Sequence, residues 1–378
     1  MTLPKKFLLM ASYADSLITF RGHLIDSLIA AGLEVHIAVP IDCSYEVVRT
    51  LESKGVVVHN IPLRRTGLNP ILDLFALLYL VKLMMALKPE YVLAYTIKPV
   101  VYGLIAARIC SIRNRFALIT GLGYAFESDQ QGILRKYLKK LVVSLYRYSL
   151  GGADIVFFQN SDDEALFRSS GILHAKVPSR VVNGSGVDLL YYQYSPAVEE
   201  PLRFLMIARL LKAKGIREYV DAARKVRAFR QDVVFDLVGW LDDGPDAISK
   251  NELDSWIEED AINYLGKLSD VRPAISRCSV YVLPSYREGT PRTVLEAMSM
   301  GRPVITTDAP GCSETVIEGV NGYLVPVRSV SALRNAMELF INNPSSVADM
   351  GKQSRRIAEE KYDVHKVNEV MLTEMGIS

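Results

Sequence analysis

Short, continuous apolar runs separated by amphipathic stretches occur in two series along the chain, and this feature restricts the fold most. The first series is FLLMAS, VHIAVP, VVVHNI, YVLAYT, FALIT and DIVFFQ. The second is LRFLMIAR, VVFDLVGW, INYLG, VYVLPS, PVITT and GYLVPV. Strands that are apolar at every position are typical of parallel sheets covered by helices on both faces. The sequence therefore predicts an α/β protein with two Rossmann-like, doubly wound domains.

The domain boundary is predicted between the two series. A chain of 378 residues exceeds the size at which one core usually stops growing, which also favours two domains. The segment VVNGSGVDLLYYQYSPAVEEP is rich in turn-forming and acidic residues, so we expect the linker at about 184–200. We predict an N-terminal domain at 1–185 and a C-terminal domain at 186–356. A helix at about 357–378 is expected to pack back on the first domain.

Charge and cysteine content exclude several classes of protein. With 44 Lys and Arg against 42 Asp and Glu, a net charge of +2 argues against a protein that coats nucleic acid. The cysteines are far apart and form no CxxC pair, so neither a zinc cluster nor a disulfide framework is predicted. We therefore expect the reducing cytosol as the compartment.

Two segments bear on contact with a membrane. The most apolar stretch, ILDLFALLYLVKLMMALK, is interrupted by Asp73 and Lys82, so we expect it to fall short of a membrane span. The segment 134–150 has an apolar stripe of Leu134, Leu138, Leu141, Leu145 and Tyr148. It has no acidic residue, and its basic residues are Arg135, Lys136, Lys139, Lys140 and Arg147. It is either a helix packed on the first sheet with a wet basic face, or a face that lies on anionic lipid.

A basic loop follows the first strand of the second domain. The segment IARLLKAKG places Arg209 and Lys214 at a carboxyl end of a strand, where open α/β sheets bind ligands. A guanidinium fork and an ammonium point charge together suit a diphosphate. The alternative is a solvated basic turn.

Two glutamates flank a Gly-Thr-Pro corner in YREGTPRTVLEAMSMG. Glu288 is predicted on the loop and Glu296 inside the helix that this corner opens. The start of a helix offers backbone N–H groups to phosphate, and a nearby carboxylate can bind sugar hydroxyls. Taken singly, each glutamate is also compatible with a solvated turn or a helix surface.

These segments resemble the donor half of retaining glycosyltransferases of family 4, which have the GT-B fold of two Rossmann-like domains facing across a cleft. The matching segments, in order, are RLLKAKG, VGWLDDGP, INYLGKLSDV and VLPSYREGTPRTVLEAMSMGRPVI. The glutamate pair with seven residues between is the most specific element. In the first half, YTIKPVVYG and ITGLGYAF resemble a bacterial subgroup that adds N-acetylhexosamines to undecaprenyl-diphosphate-linked sugars.

The resemblance implies a role for each matching residue of the second domain, which would bind the nucleotide sugar. Arg209 and Lys214 would bind the donor diphosphate, Glu288 the sugar ring and Glu296 the ribose. The residues expected to border the sugar, the phosphates and the base are Gly289, Thr290, Pro291, Gly239, Gly266, Lys267 and Leu268.

The first domain would bind the acceptor, but the residue that faces the anomeric carbon stays open. Many relatives carry a histidine after the strand that corresponds to FALIT, whereas this chain continues GLGYAF. Lys98 and Thr120 are candidates, and Lys98 is alternatively structural or solvated. Arg21 could lie near phosphate or acceptor, or in a plain surface turn.

The predicted reaction moves an N-acetylhexosamine, such as GalNAc or GlcNAc, from a UDP-sugar to an undecaprenyl-diphosphate-linked glycan with retention. No DxD triplet occurs in the sequence, so no metal and no other cofactor is expected. The expected location is cytoplasmic, at the inner face of the cell membrane, with no nucleic-acid partner. A UDP-sugar 2-epimerase and an inactive donor-binding subunit are the alternatives.

Overall fold

The chain divides into two compact units in a computed structural model, which describes residues 4–63, 69–121 and 133–377. For residues 133–139 the description is of the backbone only. The first unit is Met1–Ser185 with Val367–Ser378, and the second is Gly186–Lys366. The returning segment starts later than the predicted residue 357, because a helix at Ser346–Lys361 still packs in the second unit through buried Ala358.

The first unit contains a parallel sheet in the order β3-β2-β1-β4-β5-β6-β7. Its strands are β1 Lys6–Met10, β2 Glu34–Pro40, β3 Val57–Ile61, β4 Tyr91–Tyr95, β5 Asn114–Ile119, β6 Ile155–Phe158 and β7 Ser179–Val181. With helices numbered in chain order among the described residues, its helices are α1 Asp15–Thr19, α2 Gly22–Ala30, α3 Tyr45–Ser53, α4 Pro70–Leu87, α5 Leu104–Ile109, α6 Ile133–Leu150, α7 Ser161–Ser169 and α14 Val364–Glu374. A π-helical turn, Pro99–Gly103, leads into α5.

Two helical layers cover the two faces of this sheet. Helices α4, α5, α6 and α7 share one core, in which Leu80, Tyr146 and Phe167 are buried; we call them the α4 layer. Helices α1, α2, α3 and α14 share the other core, where Leu28 and Met371 are buried. The C-terminal helix α14 therefore completes the first unit.

The second unit contains a parallel sheet in the order β10-β9-β8-β11-β12-β13. Its strands are β8 Arg203–Ile207, β9 Val234–Val238, β10 Asn263–Tyr264, β11 Val280–Leu283, β12 Val304–Thr307 and β13 Gly322–Val325. Its helices are α8 Ile216–Arg227, α9 Lys250–Glu258, α10 Arg272–Arg277, α11 Arg292–Ser299, α12 Val330–Asn342 and α13 Ser346–Lys361. Short 3₁₀ turns lie at Lys212–Lys214 and Ser313–Thr315.

Both sheets confirm the predicted doubly wound architecture. In each, the strand order reverses at one point: between β1 and β4 in the first sheet, and between β8 and β11 in the second. Ligands of open α/β sheets bind beyond the carboxyl ends of the strands at such a point. The loops after these four strands are therefore the first places to search for a site.

Candidate active site

Three loops meet at the carboxyl edge of the second sheet. They follow β8, β11 and β12, and backbone hydrogen bonds join them. The Tyr286 N–H donates to the Ala213 carbonyl at 2.9 Å, and the Glu288 N–H donates to the Pro310 carbonyl at 3.0 Å. The loop that carries Glu288 is thus fixed between its two neighbours.

Two glycines allow this close approach. Gly215 has φ of 73°, and a Cβ there would lie 2.1 Å from the Pro284 carbonyl oxygen. Gly311 has φ of 75°, and a Cβ there would lie 2.2 Å from the Glu288 carbonyl oxygen. Both positions require the left-handed region and leave no space for a side chain. The sequence therefore holds the three loops together at positions where only glycine fits.

Lys214 and Glu288 form an ion pair within this group of loops. Their Nζ and Oε1 atoms are 2.5 Å apart, and the two side chains are 23% and 14% exposed. The Ser285 hydroxyl donates to the same Oε1 atom at 2.7 Å. The structure therefore brings together two of the predicted catalytic residues, at the point where the strand order reverses.

Cys312 lies buried beside this pair. Burial raises the pKa of its thiol to about 12, and the nearby Glu288 carboxylate acts in the same direction. A thiol with such a pKa stays protonated at neutral pH, so Cys312 has a packing role here and is not an activated nucleophile.

Arg209 belongs to the same loop as Lys214 but pairs with a different carboxylate. Its Nη1 donates to Asp242 Oδ2 at 3.1 Å, and the guanidinium side chain is 41% exposed. Asp246 braces the loop further, because its Oδ2 accepts from the Ala213 N–H at 3.1 Å. The basic loop is thus held by two aspartates of the LDDGPD segment, and Arg209 keeps an accessible face.

Glu296 is buried inside α11 and is held by two donors. Its Oε1 accepts from the Tyr192 hydroxyl at 2.8 Å and from Arg292 Nε at 2.9 Å. Burial raises the pKa of the Glu296 carboxyl, and the Arg292 charge opposes that rise. The second glutamate of the pair is therefore a fixed group, and it lies inside the helix as the sequence predicted.

The predicted corner residues lie just before the first turn of α11. Pro291 precedes the first helical residue, Arg292, and its carbonyl accepts from the Val294 N–H at 3.0 Å. The Thr290 hydroxyl donates to the Gly289 carbonyl at 3.0 Å. These residues therefore border a helix N-terminus, which is a favourable place for an anion.

The remaining predicted donor-binding residues follow β9 and β10. The Gly239 N–H donates to the Gly266 carbonyl at 2.9 Å, and a Cβ on Gly239 would lie 1.9 Å from the Ala208 carbonyl oxygen. Lys267 is exposed, and its Nζ lies 5.1 Å from the centroid of the Trp240 ring. Leu268 is half-buried against the core of the second unit. These residues lie at the same carboxyl edge of the sheet.

In the first unit, Lys98 is engaged in a buried ion pair. Its Nζ lies 2.7 Å from Asp73 Oδ1, with the two side chains 12% and 8% exposed. The Tyr102 hydroxyl donates to the other oxygen of Asp73 at 3.0 Å. Both carboxylate oxygens thus accept from the first unit itself, which supports the structural interpretation of Lys98.

Arg21 is also buried, and the alternative of a plain surface turn is wrong for it. It is 2% exposed, and its guanidinium lies 5.6 Å from the centroid of the Tyr95 ring. Thr120 follows β5 and is half-buried, while residues 122–126 of the GLGYAF segment lie outside the described residues.

Sequence reasoning missed a hydroxyl pair at the reversal point of the first sheet. The Ser12 and Thr96 hydroxyl oxygens are 2.7 Å apart, and Thr96 has φ of 68°. A β-branched residue in this region is strained. Their positions after β1 and β4 are the signal that could have identified them.

The residues that hold the candidate site of the second unit were also missed: Tyr192, Asp242, Ser285 and Arg292. Of these, Arg292 could have been found from its spacing of four residues before Glu296.

The basic segment 134–150 forms most of α6, and its core-facing side differs from the predicted leucine stripe. Tyr146 and Leu150 are buried, whereas Leu141 and Tyr148 of the stripe are exposed. Lys140 and Arg147 are exposed, and Arg147 Nε also donates to the Gly171 carbonyl at 2.7 Å. The side chains of Arg135, Lys136 and Lys139 lie outside the described residues.

Within residues 4–63, 69–121 and 133–377, no group of three or more His, Cys, Asp or Glu side chains could hold a metal ion.

Two family profiles match the chain, one on each half. The profile described as "Glycosyl transferase 4-like" matches residues 7–160, and "Glycosyl transferases group 1" matches residues 193–357. Among solved structures, Anabaena HepE in complex with UDP and glucose superposes with a TM-score of 0.77 at 20% identity, covering 98% of this chain and 99% of that one. Sucrose-phosphate synthase from Thermosynechococcus elongatus gives a TM-score of 0.80 at 19% identity, covering 98% of each chain.

Curated relatives include two glycosyltransferases whose names give a diphosphoundecaprenol-linked sugar as acceptor. The chain is 29% identical over 362 residues, 92% of each protein, to the N,N'-diacetylbacillosaminyl-diphospho-undecaprenol α-1,3-N-acetylgalactosaminyltransferase of Campylobacter jejuni. It is 25% identical over 297 residues, 73% of each protein, to the UDP-Gal:α-D-GlcNAc-diphosphoundecaprenol α-1,3-galactosyltransferase of Escherichia coli. With both halves matched by glycosyltransferase profiles and both sheets folded as GT-B domains, the chain belongs to the GT-B glycosyltransferases of the group 1 and 4-like families.

Proposed function

We propose that this protein transfers an N-acetylhexosamine, GalNAc or GlcNAc, from a UDP-sugar to an undecaprenyl-diphosphate-linked glycan, with retention of the anomeric configuration. Support comes from the Campylobacter jejuni relative, which is similar over 92% of both chains and whose name states this kind of acceptor. The Escherichia coli relative also acts on a diphosphoundecaprenol-linked sugar and uses UDP-Gal as its donor. In this chain the product would enter a surface glycan, an O-antigen or a glycoprotein oligosaccharide.

The observation that carries the proposal is the Lys214–Glu288 pair at the reversal point of the second sheet. A UDP-sugar bound there would present its diphosphate to Lys214 and Arg209 and to the N-terminus of α11. Glu288 would accept hydrogen bonds from hydroxyls of the donor sugar, and buried Glu296 would bind the ribose. Lys267 and Leu268, with the backbone at Gly239, would lie beside the base.

In the proposed reaction the bond between the anomeric carbon and the diphosphate oxygen breaks, and a hydroxyl oxygen of the acceptor bonds to the same carbon. The hydroxyl proton passes to the departing diphosphate, so atoms and charge balance without an acid or base from the protein. Negative charge grows on the leaving diphosphate, and preorganised cations stabilise that charge. Lys214 and Arg209 would therefore act by electrostatics alone.

The acceptor sets the location that we propose. An undecaprenyl chain lies in the bilayer, so an enzyme that acts on its diphosphate-linked sugar works at the membrane surface. We propose peripheral association with the inner face of the cell membrane, from the cytoplasmic side, where nucleotide sugars are available.

A transfer assay tests the proposal. Purified protein is incubated with an undecaprenyl-diphosphate-linked sugar and, in turn, UDP-GalNAc, UDP-GlcNAc and UDP-Gal, and the lipid product is identified by mass spectrometry. We expect extension by one N-acetylhexosamine, with the α-configuration of the donor retained in the product by NMR. An extension of inverted configuration would contradict retention, and no extension with any of the three donors would overturn the proposed acceptor.

The two alternatives give different results in the same experiment. A 2-epimerase would convert a UDP-sugar without acceptor, and an inactive subunit would bind UDP without turnover in any mixture. Incubation with each UDP-sugar alone, followed by calorimetric titration with UDP, separates these outcomes.

A further inference from the structure

Helix α4 presents an apolar stripe to solvent on the first unit. Its most exposed apolar residues are Ile71, Leu74, Phe75, Leu78, Tyr79 and Met85, which are 42% to 67% exposed and which we call the α4 stripe. The first five are spaced by three or four residues and Met85 follows Leu78 by seven, so all six lie on one side of the helix. At 1.5 Å per residue the stripe is about 21 Å long. A continuous exposed apolar surface of this length is typical of an interaction site.

Helix α4 could span a membrane only if it detached from the sheet on which it packs. By length and composition alone α4 could cross a membrane, although Asp73 and Lys82 lie within it. Its opposite face, however, is buried: Ala76 and Leu80 pack in the core of the α4 layer, and Asp73 pairs with Lys98. Because one face of α4 packs on the sheet, the folded unit can offer a bilayer only the exposed face of this helix.

The charges around the stripe favour an anionic lipid surface. Lys82, the one charged residue of α4 besides buried Asp73, is exposed within the stripe. The neighbouring helices α5 and α6 contain no acidic residue in their sequences, and they expose Arg108 and Lys140. Arg108 also lies 5.1 Å from the centroid of the exposed Tyr148 ring, which joins the outer surfaces of α5 and α6.

Within α4, α5 and α6, every exposed charged side chain that the structure describes is cationic, and apolar and cationic groups together match the boundary between acyl chains and anionic headgroups. A patch that binds another protein has no need for this one-sided charge. The fourth helix of the layer, α7, marks the limit of the patch, because it exposes Asp162.

We propose that the first unit binds an anionic bilayer through the α4 stripe, which inserts among the lipid headgroups while Lys82, Arg108 and Lys140 contact lipid phosphates. The sequence assigned this contact to residues 134–150 alone. The inference deepens the proposed function and rests on it in one respect: the lipid-linked acceptor lies in the surface to which α4 attaches the enzyme.

Vesicle sedimentation tests the proposal with a triple variant, Leu74→Gln, Phe75→Gln and Leu78→Gln. Glutamine is a good helix former and the three sites are exposed, so the variant should fold, which circular dichroism and thermal melting will verify. With vesicles of phosphatidylethanolamine and phosphatidylglycerol, we expect wild type to sediment and the variant to partition on the order of a hundredfold more weakly.

A matched control replaces exposed apolar residues of the second unit: Phe229→Gln, Ile257→Gln and Leu339→Gln. This control should sediment as wild type does. If the two triple variants lose binding equally, the effect is general hydrophobicity and the proposal fails. If the α4 variant binds as wild type does while high salt releases both completely, basic charge carries the binding and the α4 stripe has no part in it.

A reporter variant measures insertion directly. Phe75→Trp should show a blue shift of its added fluorescence with phosphatidylglycerol vesicles, and quenching by brominated acyl chains. Absence of quenching while the protein is vesicle-bound would overturn insertion.

A second copy of this chain is the other possible partner of the α4 stripe. If lipid-free wild type is a dimer by sedimentation equilibrium and the α4 triple variant is a monomer, the stripe binds a second copy and the proposal is wrong.

The failures of the two proposals are distinguishable. If the α4 variant keeps UDP binding and still extends a short-chain, water-soluble acceptor analogue, but no longer extends acceptor in vesicles, both proposals hold. If wild type binds vesicles through α4 but extends neither acceptor, the proposed function is wrong and the proposal that the α4 stripe binds a bilayer still holds.

Discussion

Two ion pairs, one in each unit, have similar geometry but different surroundings. Lys98–Asp73 and Lys214–Glu288 each join a lysine that follows a central strand to a carboxylate, at 2.7 and 2.5 Å. Asp73 accepts from Lys98 and Tyr102 and lies on the buried face of α4. Glu288 lies on a loop beside a helix N-terminus. The first pair fastens a helix to its sheet, and the second has the surroundings of a ligand site.

The largest expected effect is a loss of turnover when the Lys214–Glu288 pair is broken. Lys214→Ala should lower kcat about 100- to 1000-fold, because the charge of the leaving diphosphate loses a preorganised cation. The melting temperature should change little, since Ser285 still donates to Glu288. Steady-state transfer assays measure kcat, and thermal melting measures the stability of the variant.

Arg209→Ala extends this test to the other cation of the loop. It should also lower kcat strongly, although its guanidinium pairs with Asp242 and not with Glu288. A near-normal rate for either variant would contradict the assignment of that residue to the diphosphate.

In the first pair the expected effect is on stability. Asp73→Ala leaves a largely buried lysine without its anion, which should lower the free energy of unfolding by about 3 to 5 kcal/mol. Urea denaturation measures this loss, and Asp254→Ala, at a half-exposed aspartate of α9, should stay within about 0.5 kcal/mol of wild type.

The distinction between the two pairs would be wrong if Asp73→Ala has the unfolding free energy of wild type but no transfer activity. In that case the Lys98–Asp73 pair would belong to the acceptor site, and the first unit would use its ion pair as the second unit does.

A smaller effect is expected at Glu296, on affinity. Glu296→Gln should weaken UDP binding about ten- to a hundredfold, because one charge-assisted hydrogen bond to the ribose becomes neutral. Burial raises the pKa of this carboxyl and the Arg292 charge opposes that rise, so the loss of the ion pair is offset by the removal of a desolvated charge, and thermal melting should show little change.

Glu288→Gln is the matched variant for this test. It should slow transfer and leave UDP affinity nearly unchanged, because its proposed partner is the sugar. Calorimetry with UDP compares the two, and equal losses of affinity would contradict the division of roles.

The fold could be predicted from the sequence because strands buried on both faces leave continuous apolar runs. The candidate donor-site residues Arg209, Lys214, Glu288 and Glu296 could be proposed from the sequence because they lie in short segments that resemble known glycosyltransferases. Their partners could not, because Asp242 and Tyr192 approach only after the chain folds, 33 residues from Arg209 and 104 residues from Glu296.

The faces of the first unit's helices were harder to predict. Helix α4 is apolar all round, so periodicity carries no information on which side meets the sheet. Lys98 and Asp73 are 25 residues apart, and no local rule predicts their contact. In α6 the predicted stripe includes Leu141 and Tyr148, which are exposed, whereas Tyr146 and Leu150 are buried.

The smallest expected effect is that of a chelator. EDTA should leave the transfer rate unchanged, because in the proposed reaction the diphosphate charge is neutralised by Lys214, Arg209 and the α11 dipole. Initial rates with metal-depleted enzyme, with EDTA and with added Mn²⁺ should agree within error. The Lys214→Ala variant gives a stricter test. If Lys214 neutralises the diphosphate charge in place of a metal, added Mn²⁺ should restore little of the transfer rate of this variant. Full loss with EDTA and recovery with Mn²⁺ in wild type would mean that a divalent ion accompanies the diphosphate, and the Lys214–Glu288 pair would then have a positioning role instead of an electrostatic one.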